Sequence, residues 1–384
     1  MFLNKTYEQN KKLIETSIDL HQKGLILADS YVIDVDTLLR NAKSILKAAK
    51  SKNVRLYFML KQLGRNPYIA QKLIDLGYEG AVVVDFKEAM VMMDNNIPIG
   101  NIGNLVQIPN SMLDKVINYG VEHITVFSYP KLKLINDIAK KNNKKQKVII
   151  RVYSDNDKLY PSQEAGININ EFEDFLSNCK NLYNVEICGV TSFPAYLYNN
   201  DLKKVDQLNN YNTIQKAVTI LKDMGFEVSH INTPSMTCSY VIDNFFKGDN
   251  LVGEPGHGLT GSTPMHADFD LVEKPCVVYV SEISHNFRDN AYIYGGGYYR
   301  RSHVENAIVS NGDGLYFDKV LPMDCESIDY YFKLASPHNI GDSVVMAFRY
   351  QIFVTRSSVV LLENIDKDAR IIGIYDSQGR RINE

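Results

Sequence analysis

The chain has 384 residues, with 42 Lys and Arg against 45 Asp and Glu and a net charge of −3. That length accommodates two domains and a large core, and 45% apolar with 23% charged residues is ordinary for a globular protein. The balance excludes a basic nucleic-acid or membrane-surface protein, no segment approaches the ~18 apolar residues of a membrane span, and MFLNKTYEQNKKLIETSIDL lacks an apolar run of signal-peptide length. The expectation is a cytoplasmic protein with neither nucleic acid nor membrane as partner.

Residues 1–24 hold an N-terminal helix, free to pack on either domain. YVIDVDTLLRNAKSI, 31–45, reads as an entry strand and a helix leading into a series of alternating strands and helices. VRLYFMLK, 54–61, is the first strong strand. NPYIAQKLIDLG then places apolar residues at 69, 73, 74 and 76 before Gly77, as a short amphipathic helix does. GAVVVD, 80–85, is the second strand, with a helix opening at FKEAMVMM. IGNLVQI, 102–108, is the third; HITVFS, 123–128, the fourth; KVIIRVYS, 147–154, the fifth; NVEICGVTSF, 184–193, the sixth. A helix with apolar positions 205, 208, 214, 218, 221 and 224 ends at Gly225. HINTPS, 230–235, and DNLVGEP, 249–255, are the seventh and eighth.

Eight continuous apolar strands separated by helices predict an α/β fold, a (β/α)8 TIM barrel, over 25–262. The count of eight decides against an open doubly wound sheet. From about 265 the helices stop. PCVVYVSEIS, NAYIYGGG, AIVSN, SIDYYFKL, the long run 342–365 and RIIGIYD predict a C-terminal β domain over 263–384.

Barrel enzymes carry their chemistry at the C-terminal ends of the strands. The first strand ends in Lys61, the second in Asp85. The fifth carries Arg151, the sixth ends at Phe193, the seventh at Thr233-Pro234-Ser235, and the eighth runs into Glu254-Pro255-Gly256-His257-Gly258. A buried lysine is costly unless paired or neutral, and burial lowers its pKa, as a Schiff-base lysine requires. Position alone leaves open a rim lysine whose head reaches water. Loops after the seventh and eighth strands commonly bind phosphate. Ser235 offers a hydroxyl and GHGLTGSTP, 256–264, offers glycines that let backbone approach an anion; a plain surface loop is the alternative. A lysine and a phosphate loop together fit pyridoxal 5'-phosphate, whose ring nitrogen needs a third partner, and Glu254 is suitably positioned for it. Cysteines at 179, 188, 238, 276 and 325 lack CxxC spacing, and the histidines lack ligand spacing, so neither a disulfide framework nor a metal is expected.

YFMLKQLGRNP, 57–67, resembles the lysine strand of fold-type III pyridoxal-phosphate enzymes, the alanine racemases and the ornithine and diaminopimelate decarboxylases. The order of barrel and β domain agrees along nearly the whole chain, the barrel being of the alanine racemase N-terminal type. Within that superfamily YVIDVD, FMLKQLGRNP and VVVDFKEA are most similar to the YhfX-like group. The resemblance implies that Lys61 is the Schiff-base lysine and that Glu254, in EPG, pairs with the ring nitrogen. It puts Arg151, Asp85, Phe193, Ser235, Gly256, His257, Gly258 and Tyr350 around the cofactor. MDCESIDYY, 323–331, resembles a motif that crosses a homodimer interface to the partner's site. Cys325 would then be an acid–base group and Glu326 or Asp329 a substrate contact; for Cys325 a small core residue, and for Tyr350 a packed strand aromatic, are the competing readings. Phe193 stands where the decarboxylases stack a histidine, and Thr233-Pro234-Ser235 is nearer the racemases than the decarboxylase glycine triplet.

The implied function is that of an amino-acid racemase or epimerase, with a decarboxylase or lyase as the alternative and a non-catalytic pyridoxal-phosphate binder as the alternative of another class. The β domain, with its acid–base candidates, argues against the last.

Overall fold

In a computed structural model describing residues 2–382, the chain folds into two compact units. Residues 43–60 and 70–256 form a barrel unit; residues 2–42, 61–69 and 257–382 form a sheet unit.

The barrel strands are Arg55–Leu56, Ala81–Val83, Ile99–Ile102, His123–Val126, Gln146–Tyr153, Val185–Thr191, His230–Asn232 and Leu251–Gly253, paired parallel in an eight-membered order running from the first through the eighth back to the second. Phe58 closes the ring. It pairs with Ala81, its N–H donating to the Gly80 carbonyl at 3.0 Å and its carbonyl accepting from Val82 N–H at 2.7 Å. This is the (β/α)8 barrel, and its strands are largely buried because both faces are covered.

The third strand is Ile99–Ile102, not 102–108. Gly103 adopts φ +96°, and a Cβ there would lie 2.6 Å from the Thr125 carbonyl, so the ladder ends at Ile102. The first strand is also shorter than 54–61, since Lys61–Leu63 is a single 3-10 turn. A hairpin of Tyr196–Asn199 and Lys204–Gln207 comes after the sixth strand; Val205, counted in the following helix from the sequence, lies in its second strand, and that helix is Asn209–Asp223.

The barrel lumen is partly polar. Tyr57, Met59, Val82 and Val252 form one apolar cluster. The rings of His123 and His230 lie 4.3 Å apart between centroids, and Tyr57 stacks on His230 at 5.9 Å. Tyr57 occupies this space because Gly100 faces it: a Cβ at Gly100 would come within 2.0 Å of the Tyr57 ring. The phenol donates to Glu122 at 2.7 Å, and Arg55 bridges Glu122 and Glu79 at the N-terminal end, the end that stabilises such barrels.

The sheet unit is built on nine strands. Its main path runs Leu315–Lys319, Asn306–Ser310, Ser343–Met346, Val277–Phe287, Ser30–Asp34, Ser358–Glu363 and Arg370–Tyr375, with Asn290–Tyr294 and Tyr331–Lys333 added at one side. The opening strand Ser30–Asp34 does not lead the barrel sheet, as the sequence suggested. It lies at the centre of this second sheet, antiparallel to Val277–Phe287 and parallel to Ser358–Glu363, with all five residues buried. The N-terminal helix is broken at Asn10 into Leu3–Gln9 and Lys11–Gln22. Leu13, Ile14 and Ile18 pack against Val32, Val278, Val345 and Val360 of the sheet. Stretch 342–365 is two strands separated by the 3-10 turn Ile352–Val354.

Candidate active site

At the C-terminal ends of the barrel strands, Asp85 caps the helix Phe86–Asp94, accepting the Glu88 N–H at 2.8 Å. Glu88, buried, accepts from Val84 N–H at 2.8 Å. Arg151 lies near the end of the fifth strand and is 1% exposed. Its guanidinium donates to the carbonyls of Asn104 (3.1 Å) and Gln163 (2.7 Å) and lies 5.1 Å from the Phe127 ring. Burial draws its pKa down to about 10. Phe193 packs its ring 5.5 Å from that of Tyr160. Ser235 donates its hydroxyl to the Tyr196 carbonyl at 2.7 Å.

Glu254 comes directly after the eighth strand. Its carboxylate accepts from the Asn232 side-chain amide at 2.7 Å, and its N–H donates to Thr237 Oγ1 at 3.3 Å. Met59 N–H donates to the carbonyl of Pro255, the residue after Glu254, at 3.0 Å. Asn101 Nδ2, Thr191 Oγ1 and Asn232 Oδ1 are buried in the barrel unit without a hydrogen-bond partner, polar atoms of the kind a bound molecule satisfies.

In the sheet unit, Lys61 opens its 3-10 turn. His257 Nδ1 and Ser262 Oγ are 2.9 Å apart; Ser262 Oγ is 2.7 Å from Thr260 Oγ1 and donates to the Tyr350 hydroxyl at 3.2 Å. Gln351 Nε2 approaches His257 Nε2 at 3.3 Å. His257 binds a proton far less readily than a free imidazole: burial is the main cause, and the charges of Arg349, Lys61, His266 and Arg301 add to it. Burial likewise pushes the Tyr350 phenol up. Gly258 and Gly261 turn the loop, with Gly261 N–H donating to the Gly258 carbonyl at 3.2 Å.

Lys61, His257 and Tyr350 thus belong to one unit, with the His257 and Tyr350 rings 5.9 Å apart. Cys325, Glu326 and Asp329 share a different, largely exposed stretch. Cys325 Sγ is 4.0 Å from Glu326 Oε1, and Asp329 pairs with Arg356 at 2.7 Å. Among the described residues no group of three His, Cys, Asp or Glu side chains is arranged to hold a metal, and no helix is long and apolar enough to cross a membrane.

The YhfX-like C-terminal domain family matches residues 278–372, and the alanine racemase N-terminal domain family matches residues 33–264. The chain is 38% identical over 385 residues to the YhfX protein of Escherichia coli (strain K12), covering 100% of both. The chain belongs to the YhfX family. Solved structures share its fold: alanine racemase of Clostridium difficile 630 (TM-score 0.64, 17% identity, 90% of this chain and 98% of that one), D-threonine aldolase of Filomicrobium marinum (0.65, 14%, 92% and 95%) and diaminopimelate decarboxylase of Helicobacter pylori (0.64, 14%, 92% and 94%).

The alanine racemase-type fold generally binds pyridoxal phosphate. The chemistry of the residues in each unit is compatible with it. In the sheet unit, three hydroxyls, an imidazole and a glycine-bearing loop have the chemistry of phosphate donors; in the barrel unit, a carboxylate oriented by Asn232 has that of a partner for a protonated ring nitrogen. Sequence reading passed over Ser262, Thr260 and Asn232. The signals were present: two hydroxyls in LTGS, and an amide inside the apolar strand HIN.

Proposed function

We propose that the chain is a pyridoxal-phosphate-dependent racemase or epimerase of an amino acid, acting as a cytoplasmic homodimer. The observation that supports this best is the cluster of Ser262, Thr260 and Tyr350 hydroxyls around His257, in the loop after the eighth strand and in the same unit as Lys61. When bound, the cofactor supplies an aldehyde for an amine and a ring that draws electrons from the α-carbon.

Lys61 would hold the cofactor through Nζ and would accept the α-proton of the substrate at the same atom. Ser262, Thr260, Tyr350 and the backbone at Gly256, His257 and Gly258 bind the phosphate. Glu254 would pair with the ring nitrogen, and Phe193 would pack beside the ring. Arg151 and Ser235 shape the surroundings from their carbonyl contacts, and Asp85 fixes the helix after the second strand. Cys325, from the partner subunit in the dimer, donates the second proton, with Glu326 or Asp329 orienting the substrate.

The test is incubation of the holoenzyme with single enantiomers of a panel of amino acids in heavy water. Deuterium at the α-carbon together with the opposite enantiomer is expected; no exchange with any of them overturns the reading. A decarboxylase is the second reading, favoured by the carboxylate of Glu254, and release of carbon dioxide from the same panel identifies it.

A further inference from the structure

The loop 257–262 carries two of the phosphate-binding hydroxyls, but its shape is set from behind. Asn41, 2% exposed on the helix Val35–Ser51, donates through Nδ2 to the carbonyls of Leu259 (3.0 Å) and Lys274 (2.8 Å) and accepts through Oδ1 from Lys274 N–H (2.8 Å). Segment 274–276 is itself fixed: Asp34 N–H donates to the Cys276 carbonyl at 2.9 Å, and Cys276 N–H donates to the Thr260 carbonyl at 3.3 Å. Gly261 lies so close to this segment that a Cβ would be 2.3 Å from the Lys274 carbonyl.

A trans peptide points its carbonyl and the next N–H in opposite directions. With the Leu259 carbonyl turned to Asn41, the Thr260 N–H is turned the other way. The side chain of Asn41 therefore decides which group of the Leu259–Thr260 peptide the loop offers on its outer side. With this orientation it offers a donor; with the peptide flipped it would offer a carbonyl, which repels an anion.

We infer that Asn41 is a positioning residue for phosphate binding: it locks the Leu259–Thr260 peptide so that the Thr260 N–H, with the neighbouring hydroxyls, receives the cofactor phosphate. The inference rests on the proposed pyridoxal-phosphate function. Asn41 touches neither cofactor nor substrate in this role, which neither the lysine motif nor the glycine loop reveals.

The experiment compares affinity for pyridoxal phosphate with affinity for pyridoxal, which has the aldehyde and ring but no phosphate. Asn41→Asp keeps the acceptor for Lys274 N–H but sets an oxygen against the Leu259 carbonyl; Asn41→Ala removes both groups. Folding is checked by circular dichroism, and the affinity ratio is read on the folded protein. Pyridoxal phosphate should weaken at least about tenfold in Asn41→Asp while pyridoxal changes little, with a smaller loss in Asn41→Ala. The phosphorus NMR signal of bound cofactor should shift in both variants. A merely structural role would lower both affinities together, and that result, or no loss of either, overturns the inference. Wild-type protein that binds pyridoxal phosphate no better than pyridoxal would overturn the functional reading itself.

Discussion

Asn232 holds Glu254: the amide of one donates to the carboxylate of the other across 2.7 Å, from the seventh strand to the residue after the eighth. A hydrogen bond to a charged group contributes about 1.5–3 kcal/mol. Asn232→Leu should therefore lower turnover about tenfold or more with little change in cofactor binding, as steady-state kinetics beside a cofactor titration will show. Glu254→Gln, which cannot carry the negative charge, should cost more than Asn232→Leu.

Lys61→Ala should leave the fold intact and abolish the yellow absorbance that borohydride removes from the wild-type holoenzyme. Absorbance unchanged in the variant would place the aldehyde-binding amine elsewhere.

Cys325→Ala should keep cofactor binding and lose roughly a hundredfold or more of racemisation, the usual share of a general acid. Exchange of the α-proton with heavy water on the Lys61 face should survive. Equal loss of both would argue that Cys325 does not serve one face alone.

The paired lumen histidines predict an acid weakness. His230 binds a proton far less readily than a free imidazole because of burial first, with the charges of His123, Arg55 and Lys147 adding to it; burial also lowers His123. Their folded-state pKa values lie below the unfolded value near 6.5. The stability tied to their neutral form is then complete above about pH 6.5 and is lost as pH falls below it, at up to about 1.4 kcal/mol per pH unit for each. Urea melts at descending pH should show that slope, and His230→Phe, which can still stack on Tyr57, should flatten part of it.

Gly100→Ala should destabilise by about 1–3 kcal/mol or prevent folding, because the new Cβ would enter the Tyr57 ring. Thermal melting measures it, and an unchanged midpoint would mean that the ring has room to move.

The barrel was legible because its strands are short apolar runs with helices between them, a signal carried locally by each run. The misplacement of the third strand came from a local ambiguity. IPIGNI and IGNLVQI are both apolar enough, and only the left-handed Gly103, close against Thr125, ends the ladder. The destination of Ser30–Asp34 had no local signal at all, since a strand's partners lie elsewhere in the chain. Lys61 and Glu254 stood out as charges closing apolar strands. Asn232 and Asn41 did not, because an asparagine acquires its meaning only from the carboxylate or carbonyl that the fold brings to it.

The opening strand also has a temporal consequence. Ser30–Asp34 is flanked by Val277–Phe287 and Ser358–Glu363, and Ser357 donates to Asp29 from 328 residues away. On the ribosome these apolar residues emerge long before Ser358–Glu363 is made and find both neighbours only after it. Pairing at such separation is slow, so the nascent chain carries an uncovered hydrophobic strand through most of its translation, and early release favours aggregation.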